Sequence, residues 1–162
     1  MIDFEANFIK KGGKVIWAQD EKEALNEILQ ILKKQDAKTI LKAKSMLTEE
    51  IGLNKFLEEN KMDVLETDVG QYIQQVAGET SFHLVNPSVH KSKTQINKLL
   101  NEKKGVHPES SAEDMVFFIR NSLREKYFSA QVGISGANFL IADTGSVALT
   151  ENEGNIGLSV SC

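Results

Sequence analysis

Cysteine is almost absent from this sequence, and the single thiol, Cys162, is its last residue. One thiol cannot form an intrachain disulfide, and it cannot supply the ligands of a structural zinc site or of a four-cysteine iron–sulfur cluster. The histidines are few as well, and they lack the HxH or HxxxH spacing of metal-binding motifs. We therefore expect this chain to hold no metal and no cofactor.

Long apolar runs and an excess of basic charge are also absent. No segment approaches the roughly 20 apolar residues that span a bilayer, and the N-terminal stretch lacks the apolar core of a signal peptide. The net charge is −4, and lysines are interspersed with glutamates and aspartates. This pattern argues against a membrane span and against nucleic-acid binding, which relies on a basic surface. A cytoplasmic protein is the expectation.

What the sequence does contain is an alternation of strand-like and helix-like segments. Its 162 residues, 41% of them hydrophobic, suffice for a single domain over 1–162 with a continuous core. Such alternation is typical of an α/β fold with a mostly parallel sheet flanked by helices. The predicted strands are 14–18, 39–43, 62–67 and 81–87, and the predicted helices are 3–11, 20–32, 48–59, 68–77, 92–105 and 111–127.

The character of the sequence changes at Ala130. Residues 130–162 hold five of the eleven glycines and show no helical periodicity. We predict a glycine-rich region of strands and tight turns at this end of the fold. Glycine permits close backbone approach and positive φ angles, so such turns can present amide groups to a ligand.

A first candidate site follows the predicted strand 39–43, because open α/β sheets bind ligands at the carboxyl ends of their strands. Lys44 would supply positive charge there, and Ser45 and the amides at the following helix start would donate hydrogen bonds. This combination favours a phosphate or a carboxylate. The alternative is structural, with Ser45 or Thr48 serving only to cap the helix.

Thr67 and Asp68 occupy the corresponding position at the end of the strand 62–67. In a functional interpretation both point into the same cleft as Lys44, where Asp68 orients a hydroxyl group or accepts a proton. In the simpler interpretation Asp68 is the N-cap of the next helix. Both interpretations remain open at the level of sequence.

Two histidines are candidate acid–base groups because imidazole titrates near neutral pH. His90 follows the strand 81–87 at the same predicted edge of the sheet. His83 could pair with Glu79, although a turn separates them.

Turns in the glycine-rich region supply further candidates, since small-residue turns can donate amide hydrogen bonds to an anion. The alternative for the Asp-Thr-Gly turn at 143–145 is a plain hairpin that reverses the chain between two strands. The candidate ligand contacts in these turns are Ser135, Gly136, Asn138, Thr144, Gly145 and Asn155.

Four stretches taken in order resemble the LUD (lactate-utilisation) domain family. Their joint order and spacing along nearly the whole chain make the resemblance specific. They are GGKVIWAQDEKEA at 12–24, KAKSMLTEEIGLN at 42–54, ETDVGQYIQQVAGE at 66–79 and VGISGANFLIADTGSVALTENEGN at 132–155.

The resemblance implies a fold similar to that of sugar-phosphate isomerases and CoA-transferases. It points in particular to the iron–sulfur subunits of bacterial systems that oxidise L-lactate to pyruvate. In those electron-transport proteins a ferredoxin-like region with 4Fe-4S clusters lies beyond the LUD domain. By this comparison we expect the chain to be a truncated LUD domain without clusters. The implied partners are a cysteine-rich subunit and a second LUD protein.

Three functions follow as alternatives. The chain is the LUD part of a lactate-oxidation subunit that binds a small anionic ligand, or it is a stand-alone enzyme similar to CoA-transferases or sugar-phosphate-binding enzymes. In the second case Glu151 or Glu153 would be the nucleophile or base, since 151–155 is weakly similar to the Glu-Asn-Gly element of CoA-transferases. The third alternative is a non-catalytic assembly module, with a possible homo-oligomer.

Overall fold

The computed structural model describes residues 1–79, 86–151 and 153–161. Its centre is a parallel sheet of three strands, β1 (Thr39–Lys42), β2 (Asp63–Glu66) and β3 (Val132–Ile134). Strand β1 lies between β2 and β3, and Ile40 is in register with Val64 and Val132. The predicted α/β class with a parallel sheet is confirmed.

Helices flank this sheet, and a small antiparallel hairpin follows it in the chain. The helices are α1 (Ile2–Lys10), α2 (Glu21–Lys34), α3 (Met46–Glu50), α4 (Leu53–Glu59), α5 (Val69–Ala77), α6 (Lys93–Lys104), α7 (Ala112–Ser129) and α8 (Asn155–Ser161). The hairpin pairs β4 (Phe139–Ile141) with β5 (Ser146–Ala148). No helix in the described ranges is long and apolar enough to cross a membrane.

Five helices begin at a short polar side chain that caps them. Each cap accepts a hydrogen bond from the backbone N–H three residues later, which satisfies a donor that the first helical turn leaves unpaired. In α6 and α7 the side chain three residues after the cap also accepts a hydrogen bond from the backbone N–H of the cap residue. This second bond completes a capping box. The caps are Asp20, Ser45, Asp68, Ser92 and Ser111.

The core consists of two groups of buried side chains. In the first, Leu32 of α2 and Leu57 of α4 pack against Ile40 and Val64 of the sheet. In the second, α5, α6 and α7 pack together through the residues Tyr72, Ile73, Leu100, Met115 and Ile119. Together these groups hold helices against the sheet and leave its carboxyl edge to be covered by loops.

Two predicted elements in the first half of the chain are wrong in detail. Residues 14–18 form no strand: Ile16 and Trp17 are exposed rather than packed in the core, and the Trp17 indole donates to the Glu5 carboxylate. The helix predicted at 48–59 is two helices, α3 and α4. The break is at Gly52, whose φ of 65° is left-handed.

The second half departs from prediction in two places. Most of the predicted strand 81–87 lies outside the described residues, and Pro87 belongs to a turn. The strand-and-turn prediction for the glycine-rich end holds for β3, β4 and β5, but 155–161 is the helix α8. This helix packs so closely on β3 that a Cβ atom at Gly133 would lie 1.8 Å from the Ser159 carbonyl oxygen.

Candidate functional site

A cavity of about 880 Å³ lies at the carboxyl ends of the parallel strands. Its walls come from the loops that follow β1, β2 and β3, joined by 86–89 and by the segment that leads into α8. Parallel strands direct all their carboxyl ends to one edge, so segments far apart in sequence meet there. The cavity is thus a consequence of the sheet topology.

The loops after β1 and β3 are in direct contact in the wall of this cavity. The Ala43 amide donates to the Ile134 carbonyl oxygen at 2.8 Å, which extends the strand pairing past Lys42. A Cβ atom at Gly136 would lie 3.1 Å from Ser45 Oγ, so a larger residue at this position would crowd the serine. Ser135, Gly136 and Ser45 all line the cavity.

Ser45 also serves as the N-cap of α3. Its Oγ accepts the Thr48 amide at 3.4 Å, while Thr48 Oγ1 donates back to the Ser45 carbonyl oxygen at 2.8 Å. The structural alternative for Ser45 is therefore observed. Lys44, immediately before it, is partly exposed and lines the cavity.

Asp68 and Thr67 have different positions although they are adjacent in sequence. Asp68 lines the cavity and caps α5, its Oδ1 accepting the Gln71 amide at 3.1 Å. Thr67 is buried behind the wall, where its hydroxyl donates to the Lys42 carbonyl oxygen at 3.2 Å and accepts from Asn155 Nδ2 at 3.3 Å. Thr67 thus ties α8 to the sheet and positions Asn155, which does line the cavity.

Two glutamates from the segment before α8 complete the wall. Glu153 Oε2 accepts the Val69 amide at 3.1 Å, and Glu151 Oε2 accepts the Gly157 amide at 2.9 Å. Partial burial of its carboxyl group raises the pKa of Glu153, and the nearby Asp68 raises it further, while the bond from Val69 and the charge of Lys44 oppose the shift. A raised pKa makes the Glu153 carboxyl group suited to hold a proton.

The charge of the described cavity wall is negative overall. Among the described lining residues, Lys44 is the one cation, against the carboxyl groups of Asp68, Glu151 and Glu153. A multiply charged anion would be repelled by this wall. The arrangement suits a small ligand with one anionic group near Lys44 and a hydroxyl group that donates to a carboxylate.

Asn138 and the turn at 143–145 serve mainly to build the β4–β5 hairpin. Asn138 lines the cavity, but its Oδ1 accepts the Thr150 amide at 2.7 Å. Thr144 and Gly145 lie away from the cavity. Gly145 has a left-handed φ of 60°, and a Cβ atom there would lie 2.4 Å from the backbone of Asn7 in α1. The turn at 143–145 therefore reverses the chain between β4 and β5, as in the hairpin alternative.

The predicted histidine sites lie elsewhere. His90 Nε2 is 3.5 Å from Glu79 Oε2, outside the cavity, and Lys91 Nζ contacts the same carboxylate at 2.8 Å. The hydrogen bond from Lys91 lowers the pKa of Glu79. The expected pairing of Glu79 with His83 falls outside the described residues.

The sequence interpretation missed part of the wall, namely the turn at 86–89. Ser88 Oγ donates to the Gly70 carbonyl oxygen at 2.7 Å, which fixes this turn against the start of α5. A Cβ atom at Gly70 would lie 3.1 Å from Pro87. The proline at the end of a predicted strand was the available signal for a turn here.

A second omission is the buried ion pair behind the wall. Lys42 Nζ lies 2.8 Å from Glu66 Oε1, and the two residues are 0% and 2% exposed. Asn54 Nδ2 donates to the same carboxylate oxygen at 2.6 Å. The sequence showed a lysine and a glutamate near the ends of two predicted strands. Only the parallel register of β1 and β2 places the two side chains next to each other.

The donor atoms of this chain do not fit the iron–sulfur clusters that the resemblance associates with such proteins. Cluster iron is held by several cysteine thiolates, and the sequence has one cysteine. Within 1–79, 86–151 and 153–161, no three histidine, cysteine, aspartate or glutamate side chains are grouped as a metal ion requires.

Comparison with known proteins identifies the family of the chain. The family model of the LUD domain matches residues 2–162. Lactate utilization protein B of Bacillus cytotoxicus is 43% identical over 161 residues, and the proteins of that name from Bacillus cereus and Bacillus thuringiensis are 42% identical. Each alignment covers 99% of this chain and 34% of the relative, so the chain spans about a third of the length of these relatives. No solved structure gives a significant match. The chain belongs to the LUD domain family.

Proposed function

We propose that this chain is the LUD-domain part of a lactate-utilisation protein, acting in a system that oxidises L-lactate to pyruvate. Its relatives carry the name lactate utilization protein B, and they align with it from end to end of this chain. Because the chain spans about a third of those proteins, the activity is proposed for a larger assembly to which this domain contributes a binding site.

The observation that carries the proposal is the mixed charge of the cavity at the carboxyl edge of the sheet. Lactate has one carboxylate and one adjacent hydroxyl group. Lys44 and the donors of the turn at 135–136 suit the carboxylate, and Asp68 or Glu153 suits the hydroxyl group as an acceptor. Glu153, with its raised pKa, is the candidate for taking up the hydroxyl proton.

Oxidation of lactate also requires an acceptor for the electrons that leave the carbon carrying the hydroxyl group. This chain lacks the thiolates to hold a cluster, so the acceptor belongs to other parts of the system. We propose as partners a cysteine-rich subunit and a second LUD protein. The domain would bind and orient the hydroxy acid while those partners remove the electrons.

Calorimetric titration of the chain with L-lactate, pyruvate and a sugar phosphate tests the binding site. We expect saturable binding of lactate or pyruvate, and weaker binding of the more highly charged sugar phosphate. Lys44→Gln removes the cation of the described wall and should abolish measurable binding. Lys33→Gln, an equivalent charge change on an exposed position of α2, is the matched control and should bind as the unaltered chain does. Equal binding by both variants would exclude this cavity.

A second candidate function is a stand-alone CoA-transferase-like enzyme, and the presence of two glutamates in one cavity favours it. In such an enzyme the carboxylate of Glu151 or Glu153 attacks an acyl thioester, and the thiolate of CoA leaves as an acyl anhydride forms on the protein. Mass spectrometry after incubation with acyl-CoA would detect the added acyl group or its trapped product. Absence of any adduct across short-chain acyl donors would exclude this function.

A further inference from the structure

The segment that leads into α8 runs alongside the start of α5 and is fixed to it at two points. Glu153 Oε2 accepts the Val69 amide at 3.1 Å, and Asn155 Nδ2 donates to Thr67 Oγ1 at 3.3 Å. The contacts are two positions apart in each segment and in opposite order, so the two segments run antiparallel. Asn155 is therefore held at the carboxyl end of β2, in the wall of the cavity.

The backbone of Asn155 is fixed as well. Its carbonyl oxygen accepts hydrogen bonds from Ser159 Oγ at 2.8 Å and from Tyr127 Oη at 3.5 Å, which tie the residue to α8 and α7. Asn155 is 8% exposed. A group that is already held in place loses little conformational entropy when a ligand binds to it.

The orientation of the Asn155 amide follows from the hydrogen bonds of Thr67. The Thr67 hydroxyl group has a single hydrogen, which it donates to the Lys42 carbonyl oxygen at 3.2 Å. Toward Asn155 the hydroxyl oxygen therefore acts as an acceptor, so the part of the amide that faces it is the NH2 group. The Oδ1 atom of Asn155 lies on the other side of the amide, directed away from Thr67.

This Oδ1 atom is available to a ligand. It accepts no hydrogen bond from the described residues, and unlike Asn54 Oδ1 and Gln74 Oε1 it is not sealed from solvent. Since Asn155 lines the cavity, the small exposed part of its side chain faces the cavity. In contrast, Asp68 Oδ1 and Glu153 Oε2 each already accept a backbone amide of α5.

Asn155 and Lys44 belong to the same part of the wall. The Thr67 amide donates to the Lys42 carbonyl oxygen at 2.9 Å, which continues the pairing of β1 and β2 beyond Glu66. Paired strands are about 4.8 Å apart, so Thr67, with Asn155 bonded to it, lies beside the backbone that leads into Lys44. A short acid can therefore meet the cation and the amide oxygen together.

We propose that Asn155 Oδ1 accepts the hydroxyl hydrogen of a 2-hydroxy acid, and that Thr67 is the positioning residue that holds the amide in this orientation. The inference rests on the function proposed above, because it concerns the same cavity. An acceptor at this point selects the hydroxy acid over the corresponding keto acid, since a keto oxygen has no hydrogen to donate. The domain would thus hold the substrate of the oxidation more tightly than its product.

Calorimetric titration of the unaltered chain with L-lactate, pyruvate and propionate tests this selection. Each acid has one carboxylate, but only lactate has a hydroxyl group. We expect L-lactate to bind about tenfold or more tighter than the other two acids. Comparable affinities for all three would overturn the inference and leave the proposed binding site intact. Absence of binding by any of them would overturn the proposed function, and the inference with it.

A pair of variants at Thr67 tests the positioning role. Thr67→Val has nearly the same shape but no hydroxyl group, so the Asn155 amide can turn its NH2 group to the cavity. The ratio of lactate to pyruvate affinity should fall to about threefold or less, whereas Thr67→Ser keeps the hydroxyl group and should retain the ratio within about twofold.

The ratio separates this role from a purely structural one. If Thr67 only supported the fold, Thr67→Val would weaken the binding of lactate and pyruvate equally, and an unchanged ratio would overturn the assignment. Circular dichroism and urea midpoints check that both variants fold. The titration of the unaltered chain tests the selection independently of either variant.

Discussion

Lys42 and Lys44 are two residues apart, yet they have opposite surroundings. Lys42 is the last residue of β1, is fully buried and is paired with Glu66. Lys44 lies beyond the end of the strand, is partly exposed and lines the cavity of about 880 Å³. The position of each lysine relative to the end of the strand decides whether its charge is buried inside the fold or lies in the cavity wall.

The two lysines should therefore respond differently to substitution. Taking a charged pair out of water costs much of what the attraction between the charges returns, so the intact pair adds little net stability. Removing one partner, however, leaves the other charge buried and uncompensated. A charge in the wall of an open cavity keeps much of its hydration, and its loss costs the fold little.

The largest expected effect comes from Lys42→Met, which keeps the length of the side chain but leaves the Glu66 carboxylate without its cation. We expect the free energy of unfolding to fall by about 3–5 kcal/mol. Urea unfolding monitored by circular dichroism measures this loss. The double variant Lys42→Met/Glu66→Leu should recover a large part of it, because no unpaired charge remains. A single variant within about 1 kcal/mol of the unaltered chain would contradict the role of the pair.

Asp68 tests whether a residue can serve both the fold and the cavity. Asp68→Ala removes the side-chain acceptor of the Gln71 amide, and we expect a loss of about 1 kcal/mol. Asp68→Asn keeps an oxygen at the cap and should retain most of the stability, while removing a negative charge from the cavity wall. Comparing urea midpoints with lactate affinities for the two variants separates the roles. Equal destabilisation by both would show that the charge, rather than the cap, matters to α5.

Lys44→Gln should have a much smaller effect on stability than Lys42→Met. Because Lys44 is partly exposed, we expect the free energy of unfolding to change by less than about 0.5 kcal/mol. The same urea unfolding experiment measures it. A loss as large as that for Lys42→Met would mean that Lys44 supports the fold, and the difference between the two lysines would disappear.

The smallest expected effect concerns Glu153 and pH. A raised pKa means that the folded chain binds the Glu153 proton more tightly than the unfolded chain does. This contribution to stability is fully present below the ordinary pKa of a glutamate and is lost as pH rises through the raised pKa. Glu153→Gln should therefore flatten the dependence of the urea midpoint on pH above the ordinary glutamate pKa of about 4.3.

Ligand binding should follow the same titration. Protonated Glu153 does not repel the carboxylate of a hydroxy acid, so affinity for lactate should decline as pH rises through the raised pKa of Glu153. Calorimetric titrations at several pH values measure this decline, and Glu153→Gln should reduce it. An identical pH dependence in the variant would assign the titration to another group.

The local elements of this fold were predictable because their signals lie within a few residues. Asp20, Asp68, Ser92 and Ser111 each stand three residues before the amide that they accept, so the sequence itself predicts where the helices begin. The strands 39–43 and 62–67 were likewise recognisable as apolar runs after helical segments. Residues 14–18 have a similar composition but form no strand, because membership of a sheet depends on pairing with distant segments rather than on local composition.

The candidate site was predictable in outline for the same reason. Polar residues that follow parallel strands meet at one edge, and Lys44, Asp68 and Ser135 do line one cavity. The sequence also suggested Thr144 for this site, but its turn packs toward α1. No local pattern distinguishes a turn that faces the sheet edge from one that faces a helix.

By itself, then, the sequence determined the α/β class, the helix starts and the edge at which polar loops gather, since all three depend on short-range pattern. Only the tertiary structure decided that Lys42 is an interior ion partner of Glu66 and Lys44 a cavity residue. Those relations depend on strand register and on helix packing between distant segments, and the burial of a side chain is set by that packing rather than by its neighbours in sequence.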